Sequence, residues 1–187
     1  GTTAKGALII DGAVNKRYEI EVVRVHDFKP GSGLVAKIPA IDMIEIGYGG
    51  GSMSAIDARG LLAVGPDSAG AQPGPACYQQ GGKRATLTDA NLVLGRLEPT
   101  LGGKLTLDGA AAERVVTRLG ERINLPMLEA AEAIISICCE NMAQAIKLVL
   151  VDRGRDPRDF VLASFGGAGA MHACAIARAM RIPKIIV

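Results

Sequence analysis

The stretch Phe165-Gly166-Gly167-Ala168-Gly169-Ala170-Met171-His172 places three glycines within four residues, between an apolar run and a small-residue helical pattern. Glycines at a strand-to-helix turn let backbone N–H groups come close to a ligand. The helix N-terminus behind them adds partial positive charge, so the chemistry on offer is anion binding, with phosphate the natural guest. The spacing is not a dinucleotide fingerprint, whose third glycine would fall on His172, and it is not a P-loop, which needs a following Gly-Lys-Ser/Thr. Close packing of a helix on a sheet uses the same residues, so the motif alone leaves both readings open. A second turn, Gly1-Thr2-Thr3, carries hydroxyls of the kind a triphosphate with its metal ion needs. A third cluster, Gly49-Gly50-Gly51-Ser52, costs backbone entropy that a plain linker inside a domain rarely justifies. His172, in the first turn after the cradle, is the candidate catalyst, with packing or capping as the alternative. One of Asp57, Asp67 and Asp89 could meet Mg²⁺ through water, although an Asx-turn or N-cap is the more ordinary use of each. Cys77, in Pro-Gly-Pro-Ala-Cys-Tyr, has no histidine near it in sequence and reads as a buried structural thiol.

These residues sit in a chain of 187 residues with 49% hydrophobic content, 21% charged residues and a net charge of +2, enough for one well-buried domain. The charge is spread without basic blocks and aromatics make up 3%, so neither a phosphate-tracking surface nor stacking platforms for nucleic acid are expected. The four cysteines match neither a disulfide framework nor paired zinc-ligand spacing, which fits a reducing cytoplasm. Charges and glycines interrupt the apolar runs before the roughly 18 residues a membrane span requires, so no membrane association is expected.

The elements that must position the candidates follow from pattern and punctuation. Ala7 to Ile10 is apolar and ends at Asp11-Gly12, a hairpin signal, with Arg17 to Val25 as the returning strand and His26 beyond it at the surface. A turn with nothing leading into it suggests a fragment of a longer chain that lacks a preceding strand. Residues 29–103 are rich in glycine and proline and read as a structured insertion, with Leu61, Leu62, Val64, Leu92, Val93 and Leu97 supplying burial. Asp108 is a good N-cap for a helix to Arg122, and Pro126 opens a long, largely buried helix to Arg153, closed by Gly154. Phe160 to Ser164, Ala168 to Met180 and Lys184 to Val187 then read as strand, helix and parallel strand.

Taken in order, GTTAK, IEIGYGGGSMSAID, VGPDSAGAQPGPACY, TLTDANLVLGRL and FGGAGAMHA closely resemble the large subunit of the hydantoinase A / 5-oxoprolinase / acetone carboxylase family, nearly end to end. The resemblance implies an α/β fold: a ribonuclease H-like lobe of the actin and hexokinase type, with a mixed sheet, flanking helices and the Gly/Pro-rich insertion. Residues 1–187 would then be one partial hydantoinase A domain. By the same resemblance Gly1, Thr2 and Thr3 are the remainder of a phosphate-binding hairpin. Gly166, Gly167 and Gly169 correspond to the adenosine-side motif, while the entropy cost of Gly49, Gly50 and Gly51 suggests that they and Ser52 approach the nucleotide or an inter-subunit surface. ATP and Mg²⁺ are the implied cofactors, with no protein metal ligand assigned. The implied reaction is ring opening of a hydantoin, 5-oxoproline or related lactam activated by phosphoryl transfer. The alternatives are ketone carboxylation and a non-catalytic docking module. A hydantoinase B-type subunit is the implied partner, and the chain alone is expected to be inactive because it holds part of the site. Tyr48, Gln79-Gln80 and Ala170-Met171 depart from the usual family pattern, and Lys5 favours the hydantoinase and acetone carboxylase branch.

Overall fold

The computed structural model describes residues 2–22 and 33–187. The chain divides into two compact units, Lys5–Glu45 and a larger one comprising Ile46–Val187 with the first residues of the chain. Gly1, His26 and the predicted strand residues Val23 to Val25 lie outside the described residues.

The smaller unit is a ladder of short strands: β1 (Ala4–Ala7), β2 (Ile9–Ile10), β3 (Ala13–Val14), β4 (Lys16–Arg17), β5 (Ile20–Val22), β6 (Leu34–Ala36), β7 (Ala40–Ile41) and β8 (Met43–Ile46). Asp11 and Gly12 both take positive φ, 52° and 75°. That conformation makes a two-residue turn whose twist matches its strands, and it sets Ile9 opposite Val14 and Ile10 opposite Ala13. Among the described residues the long returning strand expected from Arg17 is interrupted at Tyr18 and Glu19. β4 pairs with β7, β5 with β6 and β1 with β8. The switch of partner is fixed locally, where the Asp42 N–H donates to the Asn15 carbonyl over 2.8 Å and the Arg17 guanidinium pairs with the Asp42 carboxylate.

The larger unit holds β9 (Ser52–Ile56), β10 (Leu62–Ser68), α1 (Leu87–Val93), β11 (Thr100–Leu101), β12 (Leu105–Thr106), α2 (Gly109–Arg122), α3 (Met127–Val151), β13 (Val161–Ala163), α4 (Gly169–Met180) and β14 (Lys184–Ile186). Asp108 caps α2 by accepting from the Ala111 N–H, as its position predicts. At the other end of α2 a Cβ on Gly120 would lie 2.5 Å from the Leu125 carbonyl oxygen, so only glycine lets the chain fold straight back into α3. The helices pack on one another through small and branched side chains: Ala90, Ala112, Val116, Ala130, Ile134, Cys138, Ala143 and Ala173 are at most 1% exposed. Alanines at these contacts allow close helix approach at little entropic cost.

Three expectations change. The stretch 29–103 divides between the units: its described first part lies in the small unit, and from Ile46 it is woven into the core of the large one. Leu61, expected to supply burial, is 56% exposed, whereas Val64 is buried. Each described strand pairs with a single partner, so the described residues show seven two-stranded pairs rather than one mixed sheet. Strands of two to seven residues interrupted by glycine and proline bury too little to hold a wider sheet. The apolar-run argument also missed α3, whose 25 residues are long and apolar enough to cross a membrane by length and composition. Here α3 packs against α1, α2, α4 and β10. The closing strand, helix, strand unit forms as predicted, with β13 and β14 parallel and Val161 beside Lys184.

Candidate functional site

The turn between β13 and α4 has the features that its glycines suggested. Gly166 takes φ +95°, which requires glycine, while a Cβ on either Gly166 or Gly167 would meet no atom within 4 Å. Phe165 beside them is 90% exposed. Internal packing therefore does not account for Gly167. Gly169 is tighter, its added Cβ falling 3.0 Å from Ser164 Oγ. The N-cap residue of α4 is Ala168, which makes no side-chain capping bond, and the first turn carries no acid. The leading N–H groups of this 12-residue helix are thus left without a side-chain acceptor and carry the positive end of its dipole. Thr2 and Thr3 are exposed, and Gly1 lies outside the described residues.

The Gly49–Ser52 loop has a different explanation. Its backbone is spent on the fold: the Gly50 carbonyl accepts from both the Thr88 N–H at 2.9 Å and Thr88 Oγ1 at 2.8 Å. The Gly51 carbonyl accepts from the Ala69 N–H, and the Ser52 hydroxyl accepts from the Gly49 N–H at 2.8 Å. A Cβ at Gly50 would stand 2.8 Å from Thr88 Oγ1, and one at Gly51 2.7 Å from Ser68 Oγ. Gly51 and Ser52 are buried. Gly50 and Gly51 are accounted for by contacts inside the chain. Tyr48, ahead of the loop, lies over Gly65, whose added Cβ would touch the ring at 3.0 Å, and its hydroxyl accepts from Asn141 Nδ2 of α3 at 3.0 Å. The aromatic residue thus ties the loop to the long helix.

Two of the three acidic candidates resolve into fold roles. Asp89 is fully buried, and its carboxylate accepts from the N–H groups of Ala76, Cys77 and Thr86 and from Thr86 Oγ1 at 2.7 Å. It closes a capping box at the start of α1 and pins the Pro75-Ala76-Cys77 turn. Asp57 accepts from the Arg59 and Leu61 N–H groups in an exposed turn. Asp67 is exposed on β10. Among the described residues no three His, Cys, Asp or Glu side chains gather to hold a metal ion. Cys77 is fully buried, and that burial, with the Asp89 charge beside it, pushes its thiol far above the ordinary range.

His172 is 2% exposed, inside the packing of α4 on α3, with Nδ1 3.6 Å from Cys139 Sγ and a buried Nε2 that has no hydrogen-bond partner among the described residues. Burial and then the Arg96 charge lower its pKa. Burial raises the Cys139 thiol to about 11 and the Cys138 thiol to about 12. A neutral imidazole beside a neutral thiol is not an activated nucleophile pair. The ring's place is in the interior, away from the open face of the turn where a substrate would be met. Sequence reasoning did not find this contact, nor the Tyr48–Asn141 and Thr88–Gly50 bonds. The only signal in the sequence was that adjacent cysteines on a helix must present at least one of them to a packed neighbour.

The family profile described as Hydantoinase/oxoprolinase matches residues 1–187. The chain is 44% identical over 191 residues to an uncharacterised protein of Methanocaldococcus jannaschii, covering 100% of this chain and 28% of that one. It is 41% identical over 156 residues to caprolactamase subunit alpha of Pseudomonas jessenii, covering 79% of this chain and 22% of the relative. Among solved structures, a nucleotide-free acetone carboxylase from a study of ATP-dependent acetone carboxylation superposes with a TM-score of 0.86 at 26% identity, over 100% of this chain and 26% of its own. The chain therefore spans 28% and 22% of the length of these two curated relatives. The likeness is continuous from the threonine turn to the glycine turn, and this chain belongs to the hydantoinase/oxoprolinase family.

Proposed function

We propose that the protein acts in the ATP-dependent opening of a cyclic amide, a hydantoin, 5-oxoproline or another lactam, and that the Gly166–Gly169 turn holds part of the nucleotide. The observation that carries this reading is Gly167. Neither its conformation nor its surroundings require glycine, yet it sits in open space before an uncapped helix start, where a side chain would obstruct an incoming anion. ATP would supply a phosphoryl group to activate the amide oxygen. The chain's own part is positioning and charge: Gly166, Gly167 and Gly169 present backbone donors, Thr2 and Thr3 offer hydroxyls towards the phosphates and Mg²⁺, and Gly1 completes their turn. The relative named caprolactamase supports a lactam, and its designation as subunit alpha supports a partner, here a hydantoinase B-type subunit. The four free cysteines support a reducing, cytoplasmic setting.

Ketone carboxylation is the second reading, favoured by the whole-chain superposition on acetone carboxylase. One assay separates the two. The full-length protein with its hydantoinase B-type subunit is given MgATP with hydantoin, 5-oxoproline, caprolactam, or acetone plus bicarbonate, and ADP release is followed. Release that depends on a cyclic amide is the expected result. Release only with acetone and bicarbonate establishes the second reading, and no stimulation by any of them rejects both.

A further inference from the structure

The far end of α4 from the glycine turn carries a second feature, about 18 Å away along a 12-residue helix. There the C-termini of α3 and α4 and the loop after α3 enclose an open cleft of about 670 Å³. Lys147, Arg155, Arg158 and Arg181 line it, with Asp156 as the one acid, giving a local charge of +3 against +2 for the entire chain. Asp156 does not neutralise the group, because the Arg158 guanidinium already holds its carboxylate, with Nε at 3.0 Å from both oxygens and a terminal nitrogen at 2.6 Å. Lys147, Arg155 and Arg181 have no ion-pair partner among the described residues. Cations commonly follow helix C-termini, where they meet the negative end of the dipole. Two helix ends supply roughly half a charge each, which leaves about two positive charges unmatched.

Val151 lines the cleft, and Leu148 precedes it on α3. Leu148 and Val151, one turn apart on α3, are 63% and 65% exposed, while the neighbouring Leu150 is 3% exposed in the core. An apolar pair beside unpaired arginines is the composition of a protein-binding surface, apolar at its centre with arginine about it. A small anion would occupy the cations and leave Leu148 uncovered. We propose that this cleft docks an acidic segment bearing an apolar anchor from the partner subunit, its carboxylates meeting Lys147, Arg155 and Arg181 and its anchor covering Leu148 and Val151. The proposal rests on the reading above that a hydantoinase B-type subunit works with this chain, and adds the surface and the chemistry of the contact.

The test uses the full-length protein and the separately purified subunit, with affinity measured at 50 and 300 mM salt. Wild type is expected to bind, and to weaken clearly at the higher salt. The double variant Lys147→Glu, Arg155→Glu should bind at least tenfold more weakly, with its salt dependence flattened. The milder pair Lys147→Gln, Arg155→Gln should fall between, and serves if the reversal impairs folding. Leu148→Ser should also weaken binding, and none of these changes should alter MgATP binding. If wild type binds and the charge variants bind equally well, the docking surface is wrong while the partner reading stands. If wild type fails to bind the subunit, the partner reading fails and takes this role with it. Weakening by Leu148→Ser alone rejects the acidic segment. Pyrophosphate binding that the charge variants abolish, with subunit affinity unchanged, rejects docking in favour of a small-anion site.

Discussion

Two glycines that look equivalent in the sequence carry opposite expectations. Gly50→Ala would place a methyl 2.8 Å from Thr88 Oγ1, inside a contact that also holds the Thr88 hydrogen bonds, and should destabilise the fold by about 1–3 kcal/mol. Gly167→Ala places its methyl in open space at a φ outside the left-handed region and should change stability by less than about 0.5 kcal/mol. In the full-length protein the same change should weaken MgATP binding at least tenfold. Denaturant midpoints and nucleotide titration on the two variants check both halves, and an unaltered MgATP affinity in Gly167→Ala would remove the support for the glycine turn. Asp89 makes a third case at this scale. Asn at position 89 removes the charge and turns an amide N–H₂ towards donors that all need an acceptor. A loss on the order of 3 kcal/mol is expected, seen as a lowered unfolding midpoint with the Pro75–Cys77 turn losing its protection from hydrogen exchange.

At the scale of elements, the sequence was readable wherever a local signal coincided with the packing. Asp108, Pro126 and Gly154 mark the ends of α2 and α3 because caps act within one turn, and the β13, α4, β14 order follows from periodicity and the Ile182-Pro183 break. Beyond the hairpin at Asp11-Gly12 the short strands were not readable, since Lys16 finds Ile41 and Val22 finds Leu34 through pairings that no local pattern encodes. The glycine turn was legible as a strand-to-helix turn because its conformational demand is local. The interior place of His172 was not, because its neighbour Cys139 lies 33 residues away on another helix. That placement has a pH consequence. The pKa of His172 is lowered in the folded protein, by burial first and the Arg96 charge second, so below about 6.5 the unfolded chain takes up the proton more readily. Stability from the α3–α4 contact is therefore fully present above that pH and is lost as pH falls towards the folded value. The slope is at most about 1.4 kcal/mol per pH unit for this one group. His172→Gln should flatten the difference in unfolding free energy between pH 7 and 5, whereas parallel curves for the two proteins would assign the slope to other groups.

At the scale of the molecule, the parallel pair β13–β14 poses the remaining physical problem. α4 packs on β14, while Val161, Ile186, Val187 and Phe165 remain 47% to 90% exposed. Parallel strands are stable when both faces are covered and when more than two of them share the sheet. The glycine turn hangs from the end of this under-covered pair, so the geometry of its backbone donors depends on whatever completes the layer, and a nucleotide site needs an opposing wall to exclude water. The 187 residues taken alone should therefore bind a hydrophobic dye and self-associate, and should hold MgATP at least tenfold more weakly than the full-length protein. The Leu162 and Ile185 amides should exchange quickly in the short chain and slowly in the long one. Calorimetric titration and hydrogen exchange on the two forms measure these separately. Equal MgATP affinity in both would mean that the turn and the threonines suffice as a site. Equal exchange with unequal affinity would mean that the missing contribution is contact with the nucleotide, and that β13–β14 is already rigid without further cover.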